Sequence, residues 1–406
     1  METIKVYAAI IGGGASGLMC GCIAAKKHPD KKIAIIERDN RVGKKILVSG
    51  NSRCNLTNIN ASKENYNSSF EKGIDYLLKN YPPQKIIDYF KSIGLLCFSD
   101  NEGRVYPLSK QSTAVLSVLR NELKRNNVDE ICDCEVTDIA KCADGYKLRC
   151  SDKTIIASKV VIATGGKNNY AQKVLGDTHA VAKSIGHKIS RLTPSLSPVK
   201  VKSEYINSLK GIRAQGKVTA VINGKSLRYD SGEIQFTNNA LSGICVFNIS
   251  GVINECDNAQ IIVQLLPDYS FEEIKSMLYD RKQLVNKDNV QEIFTGLFHK
   301  NIGVALLKES KVNTNISADK LTDKDIKSLA ATINKWVFDV AKSGDFSSAQ
   351  VTRGGICGSQ INEYTMESKL CKDIYLCGEA IDVDGDCGGY NLQFAFSSGM
   401  CAGENL

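Results

Sequence analysis

The feature that most constrains the fold is a glycine-rich turn near the amino terminus, set between an apolar run and a helix-forming run. Val6–Ile11 is continuously apolar, as in a buried parallel strand. Residues 12–17 read Gly-Gly-Gly-Ala-Ser-Gly and lead into a predicted helix, Ala15–Lys27. A second predicted strand, Lys32–Ile36, ends in Glu37. This order predicts an α/β fold with a parallel sheet whose ligand edge lies at the glycines.

The glycine spacing is G-x-G-x-x-G, and each position has a physical reason. Gly12 permits the tight turn, Gly14 lets a pyrophosphate approach the backbone, and Gly17 lets the helix pack closely on the strand. Ala15 and Ser16 begin the helix, whose free N–H groups and positive dipole end favour phosphate. The pattern therefore predicts a dinucleotide site rather than a glycine turn without a ligand.

An acidic residue at the end of the second strand supports this interpretation. Glu37 lies 25 residues after Gly12 (37 minus 12), where its carboxylate can accept hydrogen bonds from both ribose hydroxyls. A membrane span is an alternative, because Val6–Ala25 carries no charge. The glycines argue against it, since a strand and turn in lipid would leave backbone groups unpaired.

The composition is that of an ordinary globular protein with reduced thiols. The 406 residues, 43% of them hydrophobic and 24% charged, allow two or three domains. The chain starts almost directly in its first strand, so we expect no signal peptide. The 15 cysteines show no C-x-x-C spacing and only 4 histidines accompany them, so we expect no metal site and mostly buried thiols in a cytoplasm.

The net charge of +8 does not by itself indicate a nucleic-acid partner. The lysines are spread along the chain rather than interleaved with aromatics in a basic run. The denser basic segments, Lys26–Lys32 and Arg38–Lys45, flank the nucleotide motif, where attraction of an anionic cofactor or substrate explains them equally well. We expect a small-molecule substrate, neither a nucleic-acid nor a membrane partner, and leave the oligomeric state open.

Residues 38–58 read as a loop because Gly, Ser, Asn and basic side chains dominate them. The basic candidates for neutralising cofactor phosphates are Arg38, Lys44, Lys45 and Arg53. The small polar candidates for contact with a planar ring are Ser49, Gly50, Asn51, Cys54, Asn55 and Thr57. The alternative is an ordinary polar surface loop.

The next segment alternates helical and strand patterns. Residues 70–98 are predicted to be helical with a break at Pro82-Pro83, and Ser112–Asn126 is a further predicted helix. Three runs predict an antiparallel meander, of which the first carries the candidate cofactor contact Val136: Asp129–Ile139, Tyr146–Arg149 and Thr154–Ile156. A separate strand, Lys159–Ala163, ends in Thr164-Gly165-Gly166, the kind of strand end at which open α/β sheets bind ligands.

Shifts in composition divide the chain into four segments. Residues 1–190 carry the nucleotide motif, and 191–269 read as a β-rich domain. Residues 270–343 read as a helical domain with Trp336 as a core residue on a helix, and 344–406 return to glycine-rich site chemistry.

The carboxyl terminus offers a second set of cofactor contacts. A strand, Asp373–Cys377, ends in Gly378-Glu379, and an acid after glycine at a strand end can bind a polyol. A glycine-rich loop precedes the final helix, Phe394–Ala402, whose N-terminus suits negative charge on a reduced ring. The candidates in this region are Gly378, Glu379, Asp382, Gly389, Tyr390, Asn391, Leu392 and Gln393. The alternative is a helix that merely docks the tail.

Contacts from both chain ends suit FAD, which is longer than NAD. Residues 354–358 lack the spacing of a second fingerprint, so NAD(P)H, if used, would dock transiently.

The chain resembles the BaiN-like single-chain FAD flavoproteins nearly end to end. The motifs that carry the resemblance are IIGGGASGLMC, VGKKILVSGNSRCNLTN, EGRVYPLSKQ, VIATGG, GEIQFTNNALSG and the long run from Thr365 to Gly399. The resemblance implies a Rossmann-type FAD-binding domain built from both chain ends, with an inserted β-barrel-like domain and a small helical domain. Asn238 and Ile244 depart from the family pattern, which more often has histidine and proline there.

The leading interpretation is an FAD-dependent oxidoreductase that passes hydride from NAD(P)H through the flavin to an activated C=C bond of a hydrophobic organic acid or enone. One alternative is an oxygen-using flavin oxidase of a small amine or amino ketone, and another is an RNA-modifying flavoprotein. Tyr390, Arg353 and Cys54 are candidate proton donors by expected proximity only. A structural role explains each of them more simply, so the catalytic residue is left unknown.

Overall fold

The structure is a computed structural model that describes residues 2–150, 152–167, 178–341 and 344–406. The chain divides into two compact units. The first unit combines Met1–Thr193 with Gln350–Leu406, and the second is Pro194–Ala349.

The described residues form eleven helices and twenty strands. The helices are α1 Ala15–Lys27, α2 Lys44–Val48, α3 Glu71–Asn80, α4 Pro83–Ser92, α5 Ser112–Arg125, α6 Ala180–Ser184, α7 Ile244–Asn254, α8 Phe271–Val285, α9 Lys300–Glu309, α10 Asp323–Asn334 and α11 Tyr390–Asn405. The strands are β1 Glu2–Ile11, β2 Ile33–Ile36, β3 Thr57–Asn58, β4 Tyr66–Ser68, β5 Cys97–Ser99, β6 Arg104–Pro107, β7 Asp129–Ile131, β8 Val136–Cys142, β9 Gly145–Cys150, β10 Lys153–Ile162, β11 Thr193–Ser195, β12 Val199–Lys202, β13 Arg213–Ile222, β14 Lys225–Thr237, β15 Ala240–Ser242, β16 Ala259–Gln264, β17 Trp336–Val340, β18 Val351–Arg353, β19 Ile374–Leu376 and β20 Val383–Gly385.

The main sheet of the first unit has the order β7-β2-β1-β10-β9-β8, with β19 also paired to β10. β1 pairs in parallel with both β2 and β10. The long β10 has two partners, because its first half pairs antiparallel with β9 and its last three residues pair in parallel with β19. The carboxyl-terminal part of the chain thus enters the same sheet as the amino-terminal strand, as the Rossmann-type fold class requires.

The first and last helices pack together through small residues. A Cβ on Gly399 would lie 2.4 Å from the backbone oxygen of Ser16, and one on Gly403 would lie 2.8 Å from that of Cys20. Both distances are shorter than van der Waals contact, so α11 approaches α1 this closely only because these positions lack side chains. This contact joins the two ends of the chain directly.

The second unit contains a closed barrel with the order β12-β15-β14-β13-β16-β17. Its interior forms a separate apolar core that includes Val218, Phe236, Ile261 and Trp336. Helices α8, α9 and α10 contribute to the same core. The predicted fold class, a Rossmann-type domain from both chain ends with a barrel and helices inserted in sequence, is therefore confirmed.

Trp336 is a core residue, as predicted, but it lies in a strand rather than a helix. It pairs with Val263, and β17 closes the barrel between β12 and β16. The reason is visible in Trp336–Val340, where buried and exposed residues alternate with the period of a strand. Conversely, α7 is a helix inside the segment predicted to be β-rich.

Two strand predictions in the first unit are also corrected. The run Asp129–Ile139 is two strands, since β7 pairs in parallel with β2 while β8 pairs with β9 in the meander. Thr154–Ile156 and Lys159–Ala163 belong to one continuous strand, β10. The division of the chain at 190, 269 and 343 stays a prediction, and position 343 lies outside the described residues.

Other features of the described residues concern membranes, metals and thiols. No helix among them is both long and apolar enough to cross a membrane. They also include no group of three or more His, Cys, Asp or Glu residues arranged to hold a metal ion. All 15 cysteines are free thiols, and each is buried or half-buried.

We predict that Gly399→Ala destabilises the first unit. The new methyl group would overlap the Ser16 carbonyl oxygen at 2.4 Å, and overpacking of this kind costs about 1–3 kcal/mol of unfolding free energy. Urea unfolding measures the change. The control is Thr113→Ala on the exposed face of α5, which should stay within about 0.5 kcal/mol of wild type. Equal stabilities of the two variants would contradict close packing of α11 on α1.

Candidate functional site

The glycine fingerprint has the geometry that its spacing predicts. Gly12 has a φ of +106°, and a Cβ there would lie 2.3 Å from the backbone oxygen of Ala163. A Cβ on Gly17 would lie 2.0 Å from the backbone oxygen of Gly12. By contrast, a Cβ on Gly14 would meet nothing within 4 Å. Two glycines are thus required for close packing, and the third faces open space before the N-terminus of α1.

Glu37 is oriented by the turn beneath it. One carboxylate oxygen accepts a hydrogen bond from the Gly13 N–H at 2.8 Å, and the other accepts from the Asp39 N–H at 3.0 Å. Each oxygen retains further acceptor capacity. The Glu37 backbone oxygen accepts from the Cys134 N–H at 3.0 Å, which places the start of β8, with buried Val136, next to this strand end.

The predicted basic residues have different partners rather than forming one cluster. Lys44 pairs with Asp39 at 3.4 Å, and Lys45 pairs with Glu379 at 3.0 Å. Arg53 lies with its guanidinium carbon 5.3 Å from the centroid of the Tyr106 ring. Half-buried Arg38 directly follows Glu37.

Glu379 connects three segments at the carboxyl end of the sheet. Its carboxylate accepts from the Lys45 ammonium at 3.0 Å and from the Thr352 N–H at 2.8 Å. A Cβ on Gly166 would lie 2.6 Å from the same carboxylate, and one on Gly165 would lie 3.5 Å from the Lys45 Nζ. The strand-end turn Thr164-Gly165-Gly166 therefore lies against the acid that follows β19. Gly378, before the acid, packs against Ser16, since a Cβ there would lie 2.3 Å from the Ser16 Oγ.

The loop after α2 has an unusual backbone. Four of its residues have positive φ: Gly50 at 55°, Asn51 at 54°, Ser52 at 62° and Cys54 at 57°. Left-handed conformations cost free energy in residues other than glycine and concentrate at functional sites. The loop is fixed at its start by the Ser49 hydroxyl, which donates to the Ile46 backbone oxygen at 2.7 Å.

Polar side chains in the first turn of α11 hold the segments around it. The Asn391 carboxamide accepts from the Gly385 N–H and donates to the Gly385 oxygen, both at 2.8 Å. The Gln393 carboxamide accepts from the Thr57 hydroxyl at 2.6 Å and donates to the Tyr81 oxygen at 2.8 Å. Both side chains therefore have partners within the protein, and the Gln393 N–H also donates to the Gly389 oxygen at 2.9 Å.

The remaining candidates lie around the glycine-rich loop before α11. Tyr390 packs edge-on against Tyr66 with ring centroids 6.3 Å apart, and Leu392 packs on the apolar core of the first unit. Asp382 is half-buried, and its backbone oxygen accepts from the Ser68 hydroxyl at 2.9 Å.

A family model described as the HI0933-like protein Rossmann domain matches residues 6–405. The chain belongs to this family. The match confirms the family resemblance in the sequence motifs and agrees with the fold of the first unit. The protein is an FAD-dependent oxidoreductase.

Individual similar proteins span nearly the whole chain. A 3-dehydro-bile acid delta(4,6)-reductase of Clostridium scindens is 33% identical over 399 residues, which are 97% of each chain. A ribosomal RNA dihydrouridine synthase of Escherichia coli is 26% identical over 402 residues, 98% of this chain and 97% of the relative. The solved 3-ketosteroid-delta4-(5alpha)-dehydrogenase of Rhodococcus jostii RHA1 has a TM-score of 0.51 at 12% identity, with 99% and 96% of the two chains covered. This last likeness concerns the fold alone.

The geometry of the first unit fits FAD. Gly14 leaves open space before α1, where a pyrophosphate would lie. Within the described residues, several buried side-chain atoms of this unit lack a hydrogen-bond partner, among them the Thr164 Oγ1 after β10 and the Asn55 Oδ1 in the loop before β3. Buried polar atoms are usually paired, so unpaired ones at a strand end and a loop tip are consistent with partners on a ligand.

The three candidate proton donors differ in burial. Burial raises the pKa of the Cys54 thiol to about 12, and the residue is fully buried. The Arg353 guanidinium is buried in an ion pair with Asp384 at 3.1 Å. Tyr390 is half-buried, and burial raises the pKa of its hydroxyl. Tyr390 lies at the start of α11, whereas Cys54 is enclosed in the core and Arg353 is held by Asp384.

Several residues of this region were not identified from the sequence. The Gly13 N–H, the Thr352 N–H and the Asn67–Asp384 contact at 3.0 Å all help to shape the site. Gly13 lies inside the fingerprint, which was a usable signal. Thr352 and Asn67 become relevant only through strand pairing, for which the sequence offers no local signal.

We predict that Glu37→Ala weakens FAD binding by about 1–3 kcal/mol, because it leaves the ribose hydroxyls and the Gly13 N–H without an acceptor. Titration of the apoprotein with FAD measures the affinity. The control is exposed Glu135→Ala near the same strand end, which removes an equal charge and should leave the affinity unchanged. A Glu37→Ala protein with wild-type affinity would contradict the assigned role.

We also predict a loss of stability at alkaline pH. The pKa of Cys54 is raised to about 12 in the folded protein by burial, so above pH ~9 the unfolded chain releases a proton that the folded chain keeps. The free energy of unfolding therefore falls between pH ~9 and ~12, by about 1.4 kcal/mol per pH unit for each such thiol. Urea unfolding at pH 8, 9 and 10 should show a shallower fall for Cys54→Ala. Parallel curves for the two proteins would be inconsistent with a neutral buried thiol.

Proposed function

We propose that this protein is an FAD-dependent reductase of a C=C bond conjugated to a carbonyl group, in a hydrophobic organic acid or enone, with NAD(P)H as a transient electron donor. The observation that carries the proposal is the 33% identity over 97% of both chains to a bile-acid delta(4,6)-reductase. At this identity and coverage, the relatives share the whole fold rather than one domain.

A second relative supports the same bond type. The Escherichia coli protein is named a ribosomal RNA dihydrouridine synthase, and dihydrouridine is uridine whose ring C=C bond, conjugated to a carbonyl, is reduced. The two relatives differ in substrate size but have this reaction in common. An RNA-modifying flavoprotein is therefore the second candidate.

The residues of the first unit have distinct roles in this proposal. Gly14 and the N-terminus of α1 bind the pyrophosphate, and Glu37 binds the adenosine ribose. Lys45 of α2 forms an ion pair with Glu379, which follows β19, and we place the ribityl chain and a phosphate beside this pair. When bound, FAD supplies the hydride chemistry, and the protein supplies position and electrostatics.

Reduction of a C=C bond also needs a proton. A thiol with a pKa near 12 is a weak acid at neutral pH, which disfavours Cys54. Arg353 is engaged by Asp384, and removing either partner would leave a buried charge unpaired. We therefore assign structural roles to Cys54 and Arg353 and leave the proton donor unassigned.

The proposal predicts a specific pattern of anaerobic reduction and reoxidation. NADH or NADPH should bleach the visible absorbance of the purified yellow protein, and an enone or an unsaturated steroid-type acid should restore it. Stopped-flow absorbance with matched concentrations of each acceptor measures the rates. Oxygen serves as the comparison acceptor.

Each acceptor separates one hypothesis from another. Rapid return of absorbance with oxygen alone would overturn the reductase proposal in favour of an oxidase. Return with unmodified ribosomal RNA, at a rate that falls steeply with salt, would select the RNA-modifying candidate.

A further inference from the structure

The Asn55 side chain has an unmet hydrogen-bond requirement at the tip of its loop. Asn55 is 9% exposed, and its Oδ1 has no hydrogen-bond partner among the described residues. A Cβ on Gly389 would lie 2.7 Å from this oxygen, so the Asn55 carboxamide lies against the N-terminus of α11. A buried carboxamide oxygen without a partner is unfavourable unless a ligand supplies a donor.

The position of Asn55 is fixed from both sides. A Cβ on Gly50 would lie 2.9 Å from the Asn55 backbone nitrogen, so the left-handed turn at Gly50 packs directly on it. Two residues later, the Thr57 hydroxyl donates to Gln393 of α11 at 2.6 Å. The unpaired oxygen is therefore held against α11 rather than free to turn to solvent.

The N-terminus of α11 presents donors beside this acceptor. Gly389 precedes the 16-residue helix with a φ of +104°, and no side chain caps it. The first N–H groups of a helix have no intrahelical acceptor. The Asn55 Oδ1 is thus an acceptor next to the N–H donors of α11. This pair of groups is complementary to a ring edge on which an N–H group adjoins a carbonyl.

We propose that the Asn55 Oδ1 accepts the N3–H of the flavin ring while N–H groups at the start of α11 donate to the adjacent ring carbonyl, so that together they recognise the cyclic imide edge. The inference rests on FAD as the cofactor. Oxidised isoalloxazine has one ring N–H, at N3 between two carbonyls, and it is the donor that Asn55 lacks. Asn55 is then a residue that positions the ring, and it is not a proton donor in the reaction.

A cofactor analogue tests this contact without changing the protein. N3-methyl-FAD carries a methyl group in place of the N3 hydrogen and is otherwise FAD. Apoprotein titrated with each compound should bind N3-methyl-FAD at least about 10-fold more weakly than FAD, since a donor in a buried contact is lost and a methyl group faces the oxygen. Equal affinities would overturn the proposal. Since both titrations use the wild-type protein, a folding defect could not explain that result.

Asn55→Ala completes the comparison as a double-mutant cycle. This variant should bind FAD about 10-fold more weakly than wild type and should discriminate between FAD and N3-methyl-FAD by less than about 3-fold. Asn60→Ala is the control, because it removes an exposed carboxamide five residues further along the same segment and should keep the wild-type discrimination. If Asn60→Ala lost discrimination and Asn55→Ala kept it, the Asn55 oxygen would not be the group that recognises the ring.

A second variant covers the case in which Asn55→Ala fails to fold. Asn55→Asp keeps an acceptor oxygen but adds a negative charge next to the ring edge, so the midpoint potential of the bound flavin should fall relative to wild type. An unchanged potential would count against contact with the ring. Wild-type protein that binds neither compound would instead refute FAD as the cofactor, which separates failure of this inference from failure of the function on which it rests.

Discussion

The first unit depends on close backbone contact between the two ends of the chain. Helix α11 approaches α1 at Gly399 and Gly403. A Cβ atom at these two positions would lie 2.4 and 2.8 Å from backbone oxygens of α1. β19 adds in parallel to β10 at Val160–Ile162. The helix contacts at Gly399 and Gly403 leave no room for a side chain, so they fix the distance between α11 and α1. The two helix N-termini that we propose to face FAD belong to these same two helices.

The site follows from that arrangement because backbone rather than side chains forms most of its surface. Gly12 and Gly17 pack against neighbouring backbone, while Gly14 faces open space. Glu37 is aimed by two backbone N–H groups, and Glu379 by the Thr352 N–H and Lys45. The polar side chains in the first turn of α11 also have backbone partners, since Asn391 donates to the Gly385 oxygen and Gln393 to the Tyr81 oxygen. A chain that binds by its backbone can keep its cofactor while its relatives differ in substrate.

Sequence reasoning predicted the local elements of this site better than the contacts between them. The fingerprint, the α1 bounds and the strand end at Glu37 follow from short-range rules, and the structure reproduces their geometry. Trp336 was placed in the core but in the wrong element, because a helical pattern on its amino-terminal side masked a five-residue alternation. Lys44, Lys45 and Arg53 were predicted to neutralise cofactor phosphates, which stays a prediction, and in the structure they have three different partners. Pairwise contacts between distant segments are not encoded in local spacing, which is why the sequence did not predict these partners.

The sequence by itself determined the cofactor class and the family, because glycine spacing, a strand-end acid and long motifs are local patterns with a local physical meaning. Only the tertiary structure decided which of the candidate polar groups still lack a partner. Thr57 and Gln393 are neighbours in space and satisfy each other, whereas the Asn55 Oδ1, two residues away on the same loop, is buried without a partner. Whether a buried polar atom has a hydrogen-bond partner depends on segments more than 300 residues apart in the chain. Because a buried polar atom without a partner is unfavourable, such an atom favours a ligand that supplies the missing hydrogen bond.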